Sequence, residues 1–531
     1  MRQFNTTAVC IPSRHYMVDL SGRVEEIRRL VDDGRYFTIN RARQYGKTTT
    51  LSALEKALST QYDVISIDFQ DVTDADFFDE STFTKGLAGL LCDTRDTMAI
   101  PVPDQYYELL QKLAVREENA KINDIFRLFD RWCRENPKPV VLMIDEVDTA
   151  ANNQVFLDFL GKLRANYLKR AKNPNYRTFQ SVILAGVTDV RHLKGKIRPE
   201  DAHKVNSPWN IASDFDIDMS LPEDGIQAML DEYEADHHTG MDTQAVGRYI
   251  RKYTNGYPYL VSRICQIIDT KLIPGVFRSG TEAWTLYGVD EAVKRIIQED
   301  NAFFDSVMGK LVNMPELKNQ LRSILLRGET IAYLPDDEEQ RLLRMYGFIV
   351  NQHNTVAVSN EIFEMRLYNY LIGESRKNDD LKQLAAANRN IFLTADGLLD
   401  VKKIMEHFIE DHNRIHKGET EQFLEQEGRE RFLTYLSPII NGTGTYSIEE
   451  QTRNHKRMDV VIHYLGKRYI IELKIWRGAR YHADGERQIA EYLDFFGLDT
   501  GYMLSFNFNR KKETGVKEVR IGEKLLYEGI V

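Results

Sequence analysis

Tyr36-Phe-Thr-Ile-Asn-Arg-Ala-Arg-Gln-Tyr-Gly-Lys-Thr-Thr-Thr50 decides how the first part of this chain folds. Tyr36 to Ile39 is a short β-prone run, and Leu51-Ser-Ala-Leu-Glu-Lys-Ala-Leu58 reads as a helix. Between them stands Gly46-Lys47-Thr48, the closing half of a phosphate-binding P-loop. Gly46 lets backbone N–H groups close on an anion with no Cβ in the way. Lys47 reaches β- and γ-phosphates, the Thr48 hydroxyl is a ligand for Mg²⁺, and the following helix turns its positive end toward the charge. In the complete G-x-x-x-x-G-K-[ST] pattern the first glycine would fall at Arg41, so the consensus is incomplete. A bare Gly-Lys-Thr is also an ordinary helix start with a solvated lysine.

A partner motif follows at Pro139-Val-Val-Leu-Met-Ile-Asp-Glu-Val-Asp148. An apolar run ending in Asp145-Glu146 describes a buried strand of a parallel sheet that delivers two carboxylates at its end. Asp145 is expected to hold Mg²⁺ through water and Glu146 to polarise the attacking water. Asp148 either assists or caps the next helix. Tyr62 to Phe69 reads as a second strand and residues 76 to 135 as helices. Ser181-Val-Ile-Leu-Ala-Gly-Val187 is another buried strand, with Thr188-Asp189 placed to sense a γ-phosphate. Arg191 and Arg198 are either arginine fingers or solvated cations. Asn206 to Ile211 and Phe215 to Met219 look like the last core strand.

The form Arg41-Ala-Arg43-Gln44-Tyr45-Gly46-Lys47-Thr48 resembles the loop R-x-R-x-[FY]-G-K-[ST] of AAA-like ATPases of bacteria and archaea, relatives of the STAND and archaeal ATPase branches. In that group the missing first glycine is a family trait. The resemblance implies a P-loop NTPase three-layer sandwich that binds ATP with Arg43, Gln44, Tyr45, Gly46, Lys47, Thr48, Thr49, Asp145 and Thr188. It also implies that Phe4 to Asp19 runs past the adenine, with Tyr16 and Met17 either on the base or in plain packing. Asn255-Gly-Tyr-Pro-Tyr-Leu260 resembles the G-x-P signature of a STAND-type lid, where Pro258 packs on the nucleotide; the alternative is a turn that opens a helix with proline in its first turn.

Farther on, residues 300 to 372 combine helices with Gly347 to Val358, a hairpin with an Asn-bearing turn, as in a winged-helix module that either binds DNA or acts as a spacer. Glu374 to Asp380 is polar and charged, as a linker would be.

A second chemical site is written near the C-terminus. Met458-Asp-Val-Val-Ile-His-Tyr464, Gly466-Lys-Arg and Tyr469-Ile-Ile-Glu-Leu-Lys-Ile475 read as a β-hairpin. Glu472 and Lys474 stand two apart and so share a face, and Asp459 opens the partner strand. Carboxylates at this spacing suit Mg²⁺ or Mn²⁺, with the lysine beside them to orient a water and offset phosphate charge.

The pattern resembles the PD-(D/E)XK nuclease superfamily, in particular the nuclease domain fused behind AAA-like ATPases. The resemblance implies metal ligands Asp459 and Glu472, with Lys474 and Gln488 completing the site. Glu486-Arg-Gln488-Ile-Ala-Glu-Tyr492 matches the family helix that carries the glutamine. An upstream helical acid is expected within Glu425 to Glu430, with Glu430 taken first and Glu427 second. Arg453, His455, Lys456, Arg457, Trp476, Arg477 and Arg480 form either a phosphate- and base-binding rim or solvated loop charge.

Composition frames these sites. At 531 residues the chain exceeds one core, and its net charge of −10 excludes a uniformly basic nucleic-acid coat but not local basic patches. Cys10, Cys92, Cys133 and Cys265 stand far apart, as buried thiols in a reducing cytosol do. No apolar run approaches a membrane span and the N-terminus lacks a signal-peptide core, so a cytoplasmic protein without membrane partners is expected. The organisation expected is an ATPase core over 1–221, a helical lid over 222–290, a winged-helix-like module over 291–373, a linker over 374–389 and a smaller α/β PD-(D/E)XK nuclease-like domain over 390–531. Expected function is ATP binding and hydrolysis controlling Mg²⁺- or Mn²⁺-dependent cleavage of nucleic acid, DNA ahead of RNA, in a possible homo-oligomer of mobile-element or defence type. One rival is a signalling or assembly switch whose nuclease fold only binds. The other is a chaperone-like AAA machine, opposed by the lack of a threading pore loop.

Overall fold

A computed structural model describes the chain except residues 1, 152, 174, 189–208, 326–329, 376–379, 417–424, 441–443, 452–456, 476–478 and 508–512, with backbone alone for some neighbouring helix and strand residues. It divides into two compact units: residues 1–233, 256–262 and 342–347, and residues 234–255, 263–341 and 348–531.

The first unit is built on a parallel sheet. Strands β1 (Tyr36–Asn40), β2 (Asp63–Asp68), β3 (Val140–Asp145) and β4 (Ser181–Gly186) lie in the order β1-β4-β3-β2, every neighbour parallel. Both β3 and β4 are buried at every position, which explains their unbroken apolar sequences: helices cover both faces. On one face Phe37, Ile39, Met143 and Ile183 meet α1 (Ser21–Asp32) and α2 (Lys47–Leu58) through Ile27, Val31, Leu51 and Leu54. On the other, Leu142, Ile144, Val182 and Leu184 share a core with α3 (Glu80–Met98), α4 (Asp104–Ala114), α5 (Ile122–Glu135) and α6 (Gln154–Lys172). The three-layer arrangement puts the loops after β1 and β3 at the carboxyl edge of the sheet, where α/β folds hold ligands.

One expected element is absent. Residues 215–219 form no strand; Phe215 and Met219 pack on the sheet's core, and the backbone pairing nearby is an isolated bridge from Ser213 to Phe37. The reason is Arg41. Its guanidinium takes the carbonyls of Phe215 and Ile217, at 3.4 and 2.8 Å, that a ladder would have used. The Asn206 to Pro208 part of that expectation lies outside the described residues. Tyr16 is buried against the rings of Phe4 and Tyr233, which is a packing role.

Helix α7 (Glu223–His237) begins in the first unit and ends in the second, and α9 (Pro258–Ile267) likewise spans the two. The second unit contains α8 (Thr243–Thr254), α10 (Leu286–Gln298), α11 (Ala302–Asn313) and α12 (Pro315–Leu325); α13 (Glu338–Met345) starts in it. The expected hairpin is present as β5 (Ile349–Gln352) and β6 (Thr355–Val358), turned at His353 and Asn354 with φ of +52° and +64°. Helix α14 (Glu361–Ser375) follows. The reach expected as linker contains α15 (Asp380–Ala387), with Leu381 and Ala385 fully buried. Those two side chains sit four apart on one helix face, enough to tie that face to a core.

The C-terminal sheet has six strands: β7 (Gly444–Gln451), β8 (Arg457–Tyr464), β9 (Lys467–Ile475), β10 (Thr500–Phe506), β11 (Gly515–Ile521) and β12 (Lys524–Ile530). Their order is β11-β12-β10-β9-β8-β7. Strands β9, β10 and β12 run parallel, and the outer pairs are antiparallel. Helix α18 (Ala479–Phe496) crosses from β9 to β10 and lays Ile489, Tyr492 and Leu493 on Val461, Ile470, Met503 and Leu526. The other face takes α16 (Val401–Ile415), whose Met405 and Ile409 reach Gly529, and α17 (Glu425–Ile440), whose Gly428 lies on the Phe506 ring.

Candidate functional site

The loop after β1 is shaped by two left-handed residues, Gln44 (φ +57°) and Gly46 (φ +81°), the latter at the N-cap of α2. Alternating handedness of this kind turns successive N–H groups toward one concavity. Lys47 is buried to 6% exposure and its ammonium donates to the carbonyls of Arg41 and Ala42 at 3.2 and 3.3 Å. Burial pulls its pKa down, and the facing carboxylates of Glu146, Asp145 and Asp148 pull it back up. Thr48 Oγ1 donates to Asp145 Oδ2 at 2.7 Å, which joins the loop to the end of β3. The other Asp145 oxygen accepts the Glu146 N–H at 2.9 Å. Glu146 has φ +51°, and burial raises its carboxyl above the ordinary value, with Lys47 opposing.

Asp148 does not cap the next helix, whose N-cap is Asn153. Its carboxylate accepts the backbone N–H of Val187 at 2.7 Å and of Thr188 at 2.6 Å, tying the turn after β3 to the end of β4. Gly186 is needed beneath it: a Cβ there would meet Val147 Cγ2 at 2.9 Å and Asp148 Oδ2 at 3.1 Å. Above the loop, the Tyr257 hydroxyl donates to the Arg43 carbonyl and its ring meets Tyr45 edge-on at 4.7 Å. Pro258 Cγ lies 3.8 Å from the point a Cβ on Gly46 would occupy. The Thr49 hydroxyl accepts the Cys10 N–H at 3.2 Å, bringing the N-terminal segment to the same loop. Asp189, Arg191 and Arg198 lie outside the described residues.

In the second unit Glu472 is fully buried on β9 and its Oε1 pairs with Lys474 Nζ at 2.8 Å. Gly485 on α18 packs beside this lysine: a Cβ there would lie 3.2 Å from Met503 Sδ and in ordinary contact, 3.7 Å, with Lys474 Cε. Gln488 donates to the Tyr492 hydroxyl at 2.5 Å, one turn along the same helix. Val460 pairs with Ile471, so one more step of that register sets Asp459 opposite Glu472 on the adjacent strand. The Asp459 side chain, like those of Arg457 and Arg480, lies outside the described residues, as do Arg453, His455, Lys456, Trp476 and Arg477 altogether. Glu430 is half-buried on α17 and Glu427 is exposed there. Gly428 of that helix packs on Phe506, which points to the sheet face opposite Glu472.

Two features escaped the sequence reading. Arg41, in the place of a missing glycine, is an anchor for residues 215–217. Glu528 on β12 is a second fully buried carboxylate, paired with Lys517 Nζ at 2.8 Å and in register with Met503 beside Glu472. A glutamate inside Leu525-Leu-Tyr-Glu-Gly-Ile530 was the available signal.

A family model for an AAA-like domain matches residues 4–369. The chain belongs to this family of AAA-like P-loop ATPases. Among solved structures it is similar to a Walker-type ATPase of Pyrococcus abyssi, at 12% identity and a TM-score of 0.45, over 68% of this chain and 99% of that one. It is also similar to Cdc6p of Pyrobaculum aerophilum, at 14% identity and TM-score 0.35, over 70% and 98% of the two chains. The RuvB Holliday junction branch migration motor of Thermotoga maritima matches at 13% identity and TM-score 0.31, over 67% and 95%. No curated protein matches the chain. Among the described residues no helix is long and apolar enough to cross a membrane.

Proposed function

We propose that this chain binds and hydrolyses ATP at the loop Arg43–Thr49 and cleaves nucleic acid at a second, metal-dependent site on β8 and β9. The observation that carries the first half is the 2.7 Å contact of Thr48 with Asp145 beside buried Lys47. These two oxygens are hard donors of the kind Mg²⁺ takes, and would hold it; bound there, the ion offsets the charge of the phosphates. Lys47 binds the β- and γ-phosphates, Glu146 orients the attacking water, and Thr188 faces the γ-phosphate. Tyr45 and Pro258 close the loop from above.

For the second half, Glu472 and Asp459 would hold Mg²⁺ or Mn²⁺, and the ion would activate water against a phosphodiester. Lys474 orients that water and offsets charge on the phosphate, while Gln488 positions it. What supports this reading is the buried Glu472–Lys474 pair and the register that continues to Asp459. The expected assembly is a homo-oligomer, with DNA ahead of RNA as substrate.

Two assays on the full chain decide the proposal. ATP turnover is measured on the parent and on Lys47→Ala, which should lose nucleotide affinity while keeping its fold. Nuclease activity is measured with Mg²⁺ or Mn²⁺ on single- and double-stranded DNA and RNA. Asp459→Ala and Glu472→Ala should abolish cleavage, and Lys474→Ala should retain metal binding but cut slowly. Parental rates in all three variants would place any cleavage elsewhere.

A further inference from the structure

A cleft of about 190 Å³ in the second unit belongs to neither candidate site. One wall is Tyr249, Tyr287, Asp290 and Lys294 from α8 and α10; the other is the β8–β9 turn, from His463 to Arg468. Its centre is Asp290. Tyr249 and Tyr253, one turn apart on α8, both donate to Asp290 Oδ1 at 2.8 Å. Burial raises the Asp290 carboxyl, and the two hydroxyls and the Arg468 charge oppose this. Arg468 itself lies over the Phe496 ring at 4.3 Å, which fixes it to α18.

The turn is seated tightly. Leu465 and Gly466 both have positive φ, +47° and +75°, in a two-residue hairpin whose flanks Tyr464 and Lys467 pair directly. A Cβ on Gly466 would lie 3.3 Å from the Tyr287 ring. Glu472 stands on β9 about 17 Å from Lys467 at the usual rise of an extended strand. A hydrogen-bonded strand moves as a body, so a shift at the turn is delivered to Glu472 and Lys474.

The other end of α8 leads to the P-loop through the chain itself. Thr254 is followed by Asn255 (φ +47°) and Gly256 (φ +71°), then by Tyr257 and Pro258. Tyr257 donates to the Arg43 carbonyl and Pro258 adjoins Gly46. The Arg43 carbonyl belongs to the same peptide unit as the Gln44 N–H of the loop, so Tyr257 is bonded to the anion-binding backbone itself.

We propose that the seat of the β8–β9 turn on α8 and α10 is a regulatory contact that passes occupancy of the P-loop to the strand bearing Glu472 and Lys474. It rests on the ATP-binding reading above and is independent of whether the second site cuts. Coupling demands that ATP favour one arrangement of this seat over another, and ordinary coupling energies correspond to about fivefold or more.

The test uses the full chain carrying Glu146→Gln, so that ATP stays bound, alone or combined with Tyr287→Ala or Tyr287→Phe. Tyr287 is 40% exposed, so its truncation leaves the core intact. Hydrogen exchange at residues 463–470 is measured with and without ATP, and ATP affinity is titrated on each protein. The parent background should show an ATP-dependent change of about fivefold or more, Tyr287→Phe should keep it, and Tyr287→Ala should lose it while still binding ATP. No ATP response in the parent background, or the same response in Tyr287→Ala, overturns the proposal. Failure to bind ATP at all is seen in the titration; it defeats the P-loop reading and this inference with it.

Discussion

Glu146 is where the chemistry of the first site is most exposed to test. Burial lifts its carboxyl above the ordinary 4.5, so the acid limb of ATP turnover should lie above that value, with the rate falling as pH drops through it. The stability linkage runs the opposite way: the group's contribution is fullest below 4.5 and is lost as pH rises through its folded-state value. Glu146→Gln should bind ATP and hydrolyse it slowly at every pH; normal turnover in that variant would shift the role of orienting water to another group. Arg41 offers a separate test. Its contacts with the Asn40, Phe215 and Ile217 carbonyls should make Arg41→Ala less stable by about 1–3 kcal/mol, read as a lower denaturation midpoint. An unchanged midpoint would mean that residues 213–217 hold their course without it.

Among the elements, the ends of β3 and β4 are held close together. A methyl on Gly186 would press on Val147 and Asp148, so Gly186→Ala should cost about 1–3 kcal/mol by overpacking. It should also slow turnover, because Asp148 would be pushed from the Val187 and Thr188 amides. Stability is read by urea melts and turnover by phosphate release; loss of neither would show that the turn relaxes freely. A parallel case is Gly428 on α17, where a Cβ would come within 2.4 Å of the Phe506 ring. Gly428→Ala should therefore loosen α17 from β10, seen as faster hydrogen exchange in residues 427–440. Strand β3 was plain in the sequence because burial on both faces demands an apolar run. Residues 215–219 misled because alternation alone does not say which partner takes the carbonyls.

For the whole molecule, the proposed pairing of an ATPase with a nuclease predicts that nucleotide state sets cleavage. With Glu146→Gln protein at fixed free Mg²⁺, cleavage rates should differ between ATP, ADP and no nucleotide; equal rates alongside proven ATP binding would mean that the two sites are merely tethered. The amino-acid sequence by itself determined the P-loop, the Asp145–Glu146 strand end and the Glu472–Lys474 spacing. Each is a local pattern in which strand or helix period dictates what a few neighbouring residues can do. It also carried both hairpins, since Asn354 and Gly466 are residues that tolerate the left-handed turn. Only the tertiary structure decided that Arg41 replaces a strand by capturing its carbonyls, that Asp148 ties two loops together, and that the β8–β9 turn rests on Tyr287. Those depend on which distant segment arrives beside a side chain, and a one-dimensional pattern holds no record of that.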